Sequence, residues 1–254
     1  MPLNYAEIFE KRGSSHSDAF KLYPRAVIQE VGAVLDLANL QPGDIVLDVP
    51  SASGFLLDAL HLPDIRYIAV DPSAQMYDIC KSKVAEAYCA PMNQLPLPQA
   101  SIDAIVCLAG LHHENNWLSI FQEMKRVLKP FGRLAISEVE VGSPVAYFLN
   151  NFVNAHSSTG HTGKFVDDHF VDFLDQAKFD ISVNRFVNYH WEFNSADQMS
   201  HCFQLMFGID GASEQDIIRA AEEVLGVDRD SQGKYLVRWG MRHILARPSI
   251  SGNR

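Results

Sequence analysis

"VLDVPSASGF", residues 46–55, decides how the rest of this chain is read. Val46, Leu47 and Val49 surround Asp48, and a turn of small or ring-closed residues follows: Pro50, Ser51, Ala52, Ser53, Gly54. An apolar run that ends in small side chains predicts a buried strand bending tightly into a helix. Such a bend brings bare backbone N–H groups close to a ligand. Pro50 stands where such a turn ordinarily carries a glycine. Its ring fixes φ near about −65° and removes one N–H.

Working outward, strands and helices alternate. Val27, Ile28, Val31, Val34, Leu35 and Ala38 recur at helical spacing from Pro24 to Asn39, and "QPGD" ends that helix. After the strand at 45–49 come a helix from near Gly54, the strand "RYIAV", the helix "SAQMYDICKSKVA" and a weak strand, "AEAYCA". "IDAIVCLA" has the continuous apolar character of a strand buried on both faces. "NWLSIFQEMKRVL" puts Trp117, Ile120, Phe121, Met124, Val127 and Leu128 along one helical side, and "GRLAISEV" is the next strand. The alternation implies an α/β fold with a mostly parallel sheet and helices on both faces. Beyond it, "DDHFVDFLDQAKF" reads as a helix. "DISVNRFVNYHWEF" and "KYLVRWGMRHILARP" read as long strands around a helical insertion, roughly 195–227. No linker-like shift in composition separates the parts. The expectation is one domain over 1–254: a core at 24–140, a cap with insertions at 141–233 and a last strand at 234–247.

The net charge of −10 and pI near 5.4 disfavour nucleic acid and anionic membranes as partners, since an acidic surface repels phosphates. The start "MPLNYAEIFEKR" lacks the apolar core of a signal peptide, and no stretch is long and apolar enough to span a bilayer. Cys80, Cys89, Cys107 and Cys202 form no CxxC pair. These features predict a reduced, cytoplasmic protein, monomeric or homodimeric, with a small-molecule partner.

In open parallel sheets ligands bind beyond the carboxyl ends of the strands. Asp48 ends the first strand, and Asp71 ends the second, 23 residues later. An acid there can accept both hydroxyls of a ribose, so the pair points to a nucleoside-containing cofactor. The plainer alternatives are a helix N-terminal acid at Asp71 and a turn former at Asp48.

The stretch resembles the first motif of class I S-adenosylmethionine-dependent methyltransferases. The resemblance continues in order through "VDPSAQM", "MNQLPLPQASIDAIVCLAGLHH" and "FQEMKRVLKPFGRLAISEV", covering about residues 24–140. It implies a Rossmann-like, seven-stranded sheet with its last strand antiparallel. It also implies S-adenosylmethionine as cofactor and methyl transfer to a small-molecule nucleophile. Carried over by position, Asp48 lies near the methionine moiety of the cofactor and Pro50, Ser51, Ala52 and Gly54 pass beneath it. Asp71, followed by Pro72, holds the ribose. Met76 packs on the adenine, Met92 offers it a backbone N–H, and Asn93 reaches its amino group. Leu108 joins the cofactor site, and Arg12 pairs with the cofactor carboxylate. His112 and His113 line the floor of the substrate pocket. The sequence departs from the family where Pro50 and Ala52 replace two turn glycines, and where Pro91 replaces the usual acid for the adenine amino group.

Other residues keep two readings each. His112 and His113 are a general base and its neighbour, or packing residues at the sheet edge. His156 and His161, in "HSSTGHTG", invite a metal reading with that pair. No carboxylate or cysteine sits at ligand spacing, so the expectation is a lid loop and no metal. Tyr5, Tyr147 and Tyr189 are candidate substrate-pocket residues or plain packing. Two rival functions keep the cofactor: attack on its aminocarboxypropyl arm, releasing methylthioadenosine, and binding without catalysis.

Overall fold

The middle of the sheet is made of the apolar runs that alternate least. The structure, a computed structural model, describes residues 3–249. Its eight strands are β1 (Ile45–Asp48), β2 (Arg66–Asp71), β3 (Glu86–Cys89), β4 (Ile102–Leu108), β5 (Leu128–Glu138), β6 (Phe179–Phe193), β7 (Val227–Arg229) and β8 (Tyr235–Pro248). They lie in the order β3-β2-β1-β4-β5-β8-β6, with β7 pairing β8. β1 to β5 pair in parallel, whereas β8 runs antiparallel to both β5 and β6. In β4 every residue except Asp103 is buried, as a strand covered on both faces requires.

The sequence implied seven strands; β7 is the addition. β8 meets β5 only from Arg242 to Ala246, so its first residues run past the end of β5. There β7 takes the vacant edge, pairing Val227 with Val237 and Arg229 with Tyr235. The added strand satisfies backbone groups that would otherwise stand open.

Helices cover both faces. Val34, Val46 and Ala135 pack on one side of the sheet, and Leu47, Ile105, Phe121 and Ile136 on the other. The chain opens with α1 (Tyr5–Leu22), an 18-residue helix started by a capping box between Asn4 and Glu7. α2 (Ile28–Ala38) begins four residues later than the periodicity implied, because Pro24 to Val27 form a turn, and it ends on Asn39 in the left-handed conformation. α3 (Phe55–Ala59), α4 (Ala74–Cys80) and α5 (Trp117–Val127) follow β1, β2 and β4. The helices Ala196–Phe207 and Glu214–Ala220 form the expected insertion between β6 and β8. Phe203 and Phe207 stand there against Trp191 of β6, and Phe207 also stacks on Trp239 of β8. No helix among the described residues is long and apolar enough to cross a membrane.

Candidate active site

The turn after β1 is held from below. The Ser51 N–H donates to the Val70 carbonyl at 3.0 Å and the Ala52 N–H to Asp71 Oδ2 at 2.8 Å. Gly54 closes the turn on Ser51 with φ at 73°, and a Cβ there would stand 3.0 Å from Cys80 Sγ. The Val49–Pro50 peptide is cis. The proline ring lies against Gly110, where an added Cβ would come within 2.2 Å of Pro50 Cγ. Pro50 is thus accommodated by a missing side chain across the crevice rather than by space in its own turn.

Both acids at the strand ends are buried. Asp71 Oδ1 accepts from the Ser73 N–H at 2.9 Å, and Oδ2 accepts from Ala52 and from the Tyr5 hydroxyl at 3.0 Å. Burial pushes its carboxyl up to about 7, with those donors pulling the other way. Asp48 accepts from the Tyr67 hydroxyl through Oδ2, while its Oδ1 is buried with no partner among the described residues. Burial raises Asp48 to about 8.

Two hollows open above the strand ends, and the first turn of α1 is the wall between them. A cleft of about 280 Å³ lies on one side, lined by Asn4, Ala6, Pro72, Met92, Asn93 and Glu114 among others. A cavity of about 90 Å³ lies on the other, beneath α1. Tyr5, Arg12, Pro50, Ala52 and Leu108 line it together with His112, His113, His161 and the rings of Phe9, Phe20, Phe55, Trp191, Phe207 and Trp239.

Arg12 is buried in that cavity with its guanidinium over the Phe9 ring at 5.1 Å. One N–H reaches the Met206 carbonyl at 3.4 Å, and Nε has no partner. Among the described residues it makes no ion pair. Burial lowers its pKa to about 10. A buried cation with no counter-charge is costly unless a ligand supplies one.

The histidines converge. His112 and His113 follow β4 in a single 3-10 turn, and the loop after residue 156 brings His161 across to them. One nitrogen from each lies within 4.8 Å of the other two, and all three rings are buried. Burial first, and then the neighbouring rings, hold His113 and His161 well below the usual imidazole range. Glu138, at the end of β5, accepts from the N–H groups of Leu111, His112 and Val139 and lies 2.6 Å from His112 Nδ1.

Several sequence candidates lie elsewhere. Tyr5 does line the cavity, but its hydroxyl is spent on Asp71. Tyr147 is 61% exposed and lines neither hollow, because its neighbour Phe148 takes the inward position of that helix. His156 points its Nδ1 at the Phe152 carbonyl, a bond within its own helical turn, and stands apart from the His161 group. Tyr189 is buried in the sheet and Met76 in the core beneath α4; neither lines a hollow. Glu30, Glu138, His16, Trp191 and Trp239 were not singled out as site residues by the sequence. Glu30 was concealed in the pattern of α2, yet it is buried at the cavity, accepts from Trp191 Nε1 at 2.8 Å and is raised to about 8 by burial.

The family described as a methyltransferase domain matches residues 47–136. Over that stretch the chain is similar to methyltransferases. Among curated proteins it is 29% identical over 126 residues to a ubiquinone/menaquinone biosynthesis C-methyltransferase of Rubrivivax gelatinosus, covering 48% of this chain and 49% of that one. It is 28% identical over 139 residues to a malonyl-[acyl-carrier protein] O-methyltransferase of a Marinomonas species, covering 52% and 50%. The chain thus spans about half the length of the curated relatives it matches. Among solved structures, the geranyl diphosphate C-methyltransferase of Streptomyces coelicolor superposes with a TM-score of 0.57 at 12% identity, covering 92% of this chain and 84% of that one. The [4+2]-cyclase SpnF superposes at 0.62 with 16% identity, covering 98% and 97%. These two likenesses establish the fold. S-adenosylmethionine is the family's cofactor, and two features suit it: a turn of small residues at the crevice and an unpaired buried cation nearby.

Proposed function

We propose that this methyltransferase moves the methyl group of S-adenosylmethionine to a small, largely apolar acceptor bound in the aromatic cavity. The observation that carries the reading is Arg12, a buried guanidinium without a counter-ion beside the Pro50–Gly54 turn. It would hold the cofactor's carboxylate, with Asp48 near the amino acid end. Asp71 would hold the ribose once the Tyr5 hydroxyl withdraws. Pro72, Met92 and Asn93, which line the cleft beyond Tyr5, would hold the adenine. Bound there, S-adenosylmethionine supplies an electrophilic methyl carbon on a sulfonium. The chain's own part is alignment and exclusion of water, which lowers the barrier without a covalent intermediate. Phe9, Phe20, Trp191 and Trp239 keep the acceptor dry, and the cap elements within 141–233 would form its outer wall.

The test is calorimetric titration of S-adenosylmethionine, followed by product analysis with a panel of small acceptors. Wild type should bind, and Arg12→Met should bind about tenfold or more weakly through loss of a charge-assisted contact. The products should include S-adenosylhomocysteine. Release of methylthioadenosine would place the chemistry on the aminocarboxypropyl arm, and absence of binding would overturn the reading.

A further inference from the structure

The three buried histidines carry more than the methyl-transfer reading uses. Asn150 clarifies their protonation. Its Oδ1 accepts from the Gly163 N–H at 2.8 Å while its Nδ2 donates to the Gly163 carbonyl at 2.9 Å, which fixes the orientation of the amide. The same Oδ1 lies 2.9 Å from His161 Nδ1, so that nitrogen must be the donor and the lone pair is on Nε2. His112 is set the same way. Its Nδ1 lies 2.6 Å from Glu138, both of whose oxygens already accept backbone N–H groups, so the ring donates through Nδ1. Two imidazoles thus have their Nδ1 anchored, one by a carboxylate and one by an amide oxygen. Anchoring of that kind characterises metal-ligating histidines. His113 completes the triangle, with ring centroids 4.1 Å from His112 and 5.1 Å from His161.

We infer that His112, His113 and His161 form a mononuclear site for a divalent transition-metal ion of the zinc class at the wall of the acceptor cavity. Three imidazole nitrogens with an open fourth position suit tetrahedral zinc, and their borderline softness disfavours magnesium or calcium. Ligation would draw the nitrogens to about 3.3 Å apart, from bond lengths of about 2.0–2.1 Å. The movement falls to His161, whose loop carries Gly160 at φ 63° and Gly163 on either side of it. Glu138 offsets the charge of the ion against nearby Arg12. The fourth position faces the cavity and is left for water or a donor atom of the acceptor. Metal binding itself does not depend on the methyl-transfer reading.

The experiment is titration of the tag-free full chain with Zn²⁺ alone, in the absence of cofactor, with Co²⁺ as a spectroscopic probe. The expected result is one equivalent of zinc and the intense visible bands of four-coordinate cobalt. His161→Ala and His113→Gln should each weaken binding by about 100-fold or more, and Asn150→Ala by about 10-fold through the anchoring bond. Circular dichroism checks that each variant folds; Asn150→Ala keeps all three ligands and so decides the matter if a ligand variant does not fold. The inference is overturned if wild type takes up no stoichiometric zinc or gives only the weak bands of six-coordinate cobalt. Wild-type affinity in the folded variants would also overturn it.

Discussion

The two sides of Tyr5 are built differently. On the cleft side, Pro72, Met92 and Asn93 come from segments that directly follow β2 and β3, so each residue's place in the sequence is also its place at the sheet edge. On the cavity side, α1, α2, β6, β8 and the cap helices all contribute, and partners such as Glu30 and Trp191 lie 161 residues apart. The cleft is lined by Asn4, Asn93, Glu114 and Asn116 beside apolar residues; the cavity is lined by aromatic and aliphatic side chains and holds a buried cation. The difference shows why a hollow at the strand ends can be read from local motifs while one walled by distant elements cannot. Strand-end positions are fixed by β-sheet topology, whereas cavity walls are fixed by which distant apolar faces meet.

One substitution should break the join between the two sides most severely. Gly110→Ala puts a Cβ 2.2 Å from Cγ of the Pro50 ring, a ring with no flexible end to swing aside. We expect a loss of about 2–3 kcal/mol in urea unfolding, as overpacking of a tight site produces. Partial rescue in Gly110→Ala combined with Pro50→Gly would attribute the loss to that contact.

Proton linkage sharpens the comparison. Unfolded, Glu30, Asp48 and Asp71 ionise near pH 4 on their ordinary values of about 3.9–4.3. Folded, they ionise at about 8, 8 and 7, with burial the first cause in each. The native state therefore holds more protons, so their stabilising contribution is complete below the unfolded values and is lost as pH rises through 7 to 8. His16 and His243, depressed to about 3 and about 4, act in the opposite sense, but only as pH falls below about 6.5. Between pH 6.5 and 8 the carboxyls set the slope, and stability should fall as pH rises. Glu30→Gln should flatten that decline. An unchanged slope would mean Glu30 is not buried as described.

A smaller effect tests the wall itself. Tyr5→Phe removes the hydroxyl from Asp71 and should cost about 1 kcal/mol of stability, the worth of one hydrogen bond. The same variant should bind S-adenosylmethionine more tightly than wild type, because the ribose no longer competes with the phenol for Asp71. Weaker cofactor binding would show that Tyr5 supports the ribose contact rather than displacing it.

Much of this was legible beforehand. The parallel core and Asp48 and Asp71 at strand ends follow from apolar runs and turn chemistry within short windows; the antiparallel last strand was implied by the family resemblance alone. The later strand that overshoots, β8, left no trace in its own composition of needing β7, because an unpaired edge depends on where β5 stops. Glu138 was hidden at the end of "GRLAISEVE", where an acid reads as the polar close of a strand. His161 was visible, but its meeting with His112 rests on a loop path that no local period encodes. Tyr147 shows the reverse: its neighbour Phe148 takes the buried side of the helix and leaves Tyr147 exposed, which spacing alone did not settle.

The central claim is that one ligand spans both sides once α1 yields Asp71. A crystal structure of the chain with S-adenosylhomocysteine tests it most directly. The account predicts adenine in the cleft beside Met92 and Asn93, the ribose on Asp71, the carboxylate at Arg12, and the Tyr5 hydroxyl moved off Asp71. A bound ligand confined to one side of Tyr5, with the Tyr5–Asp71 hydrogen bond intact, would contradict it.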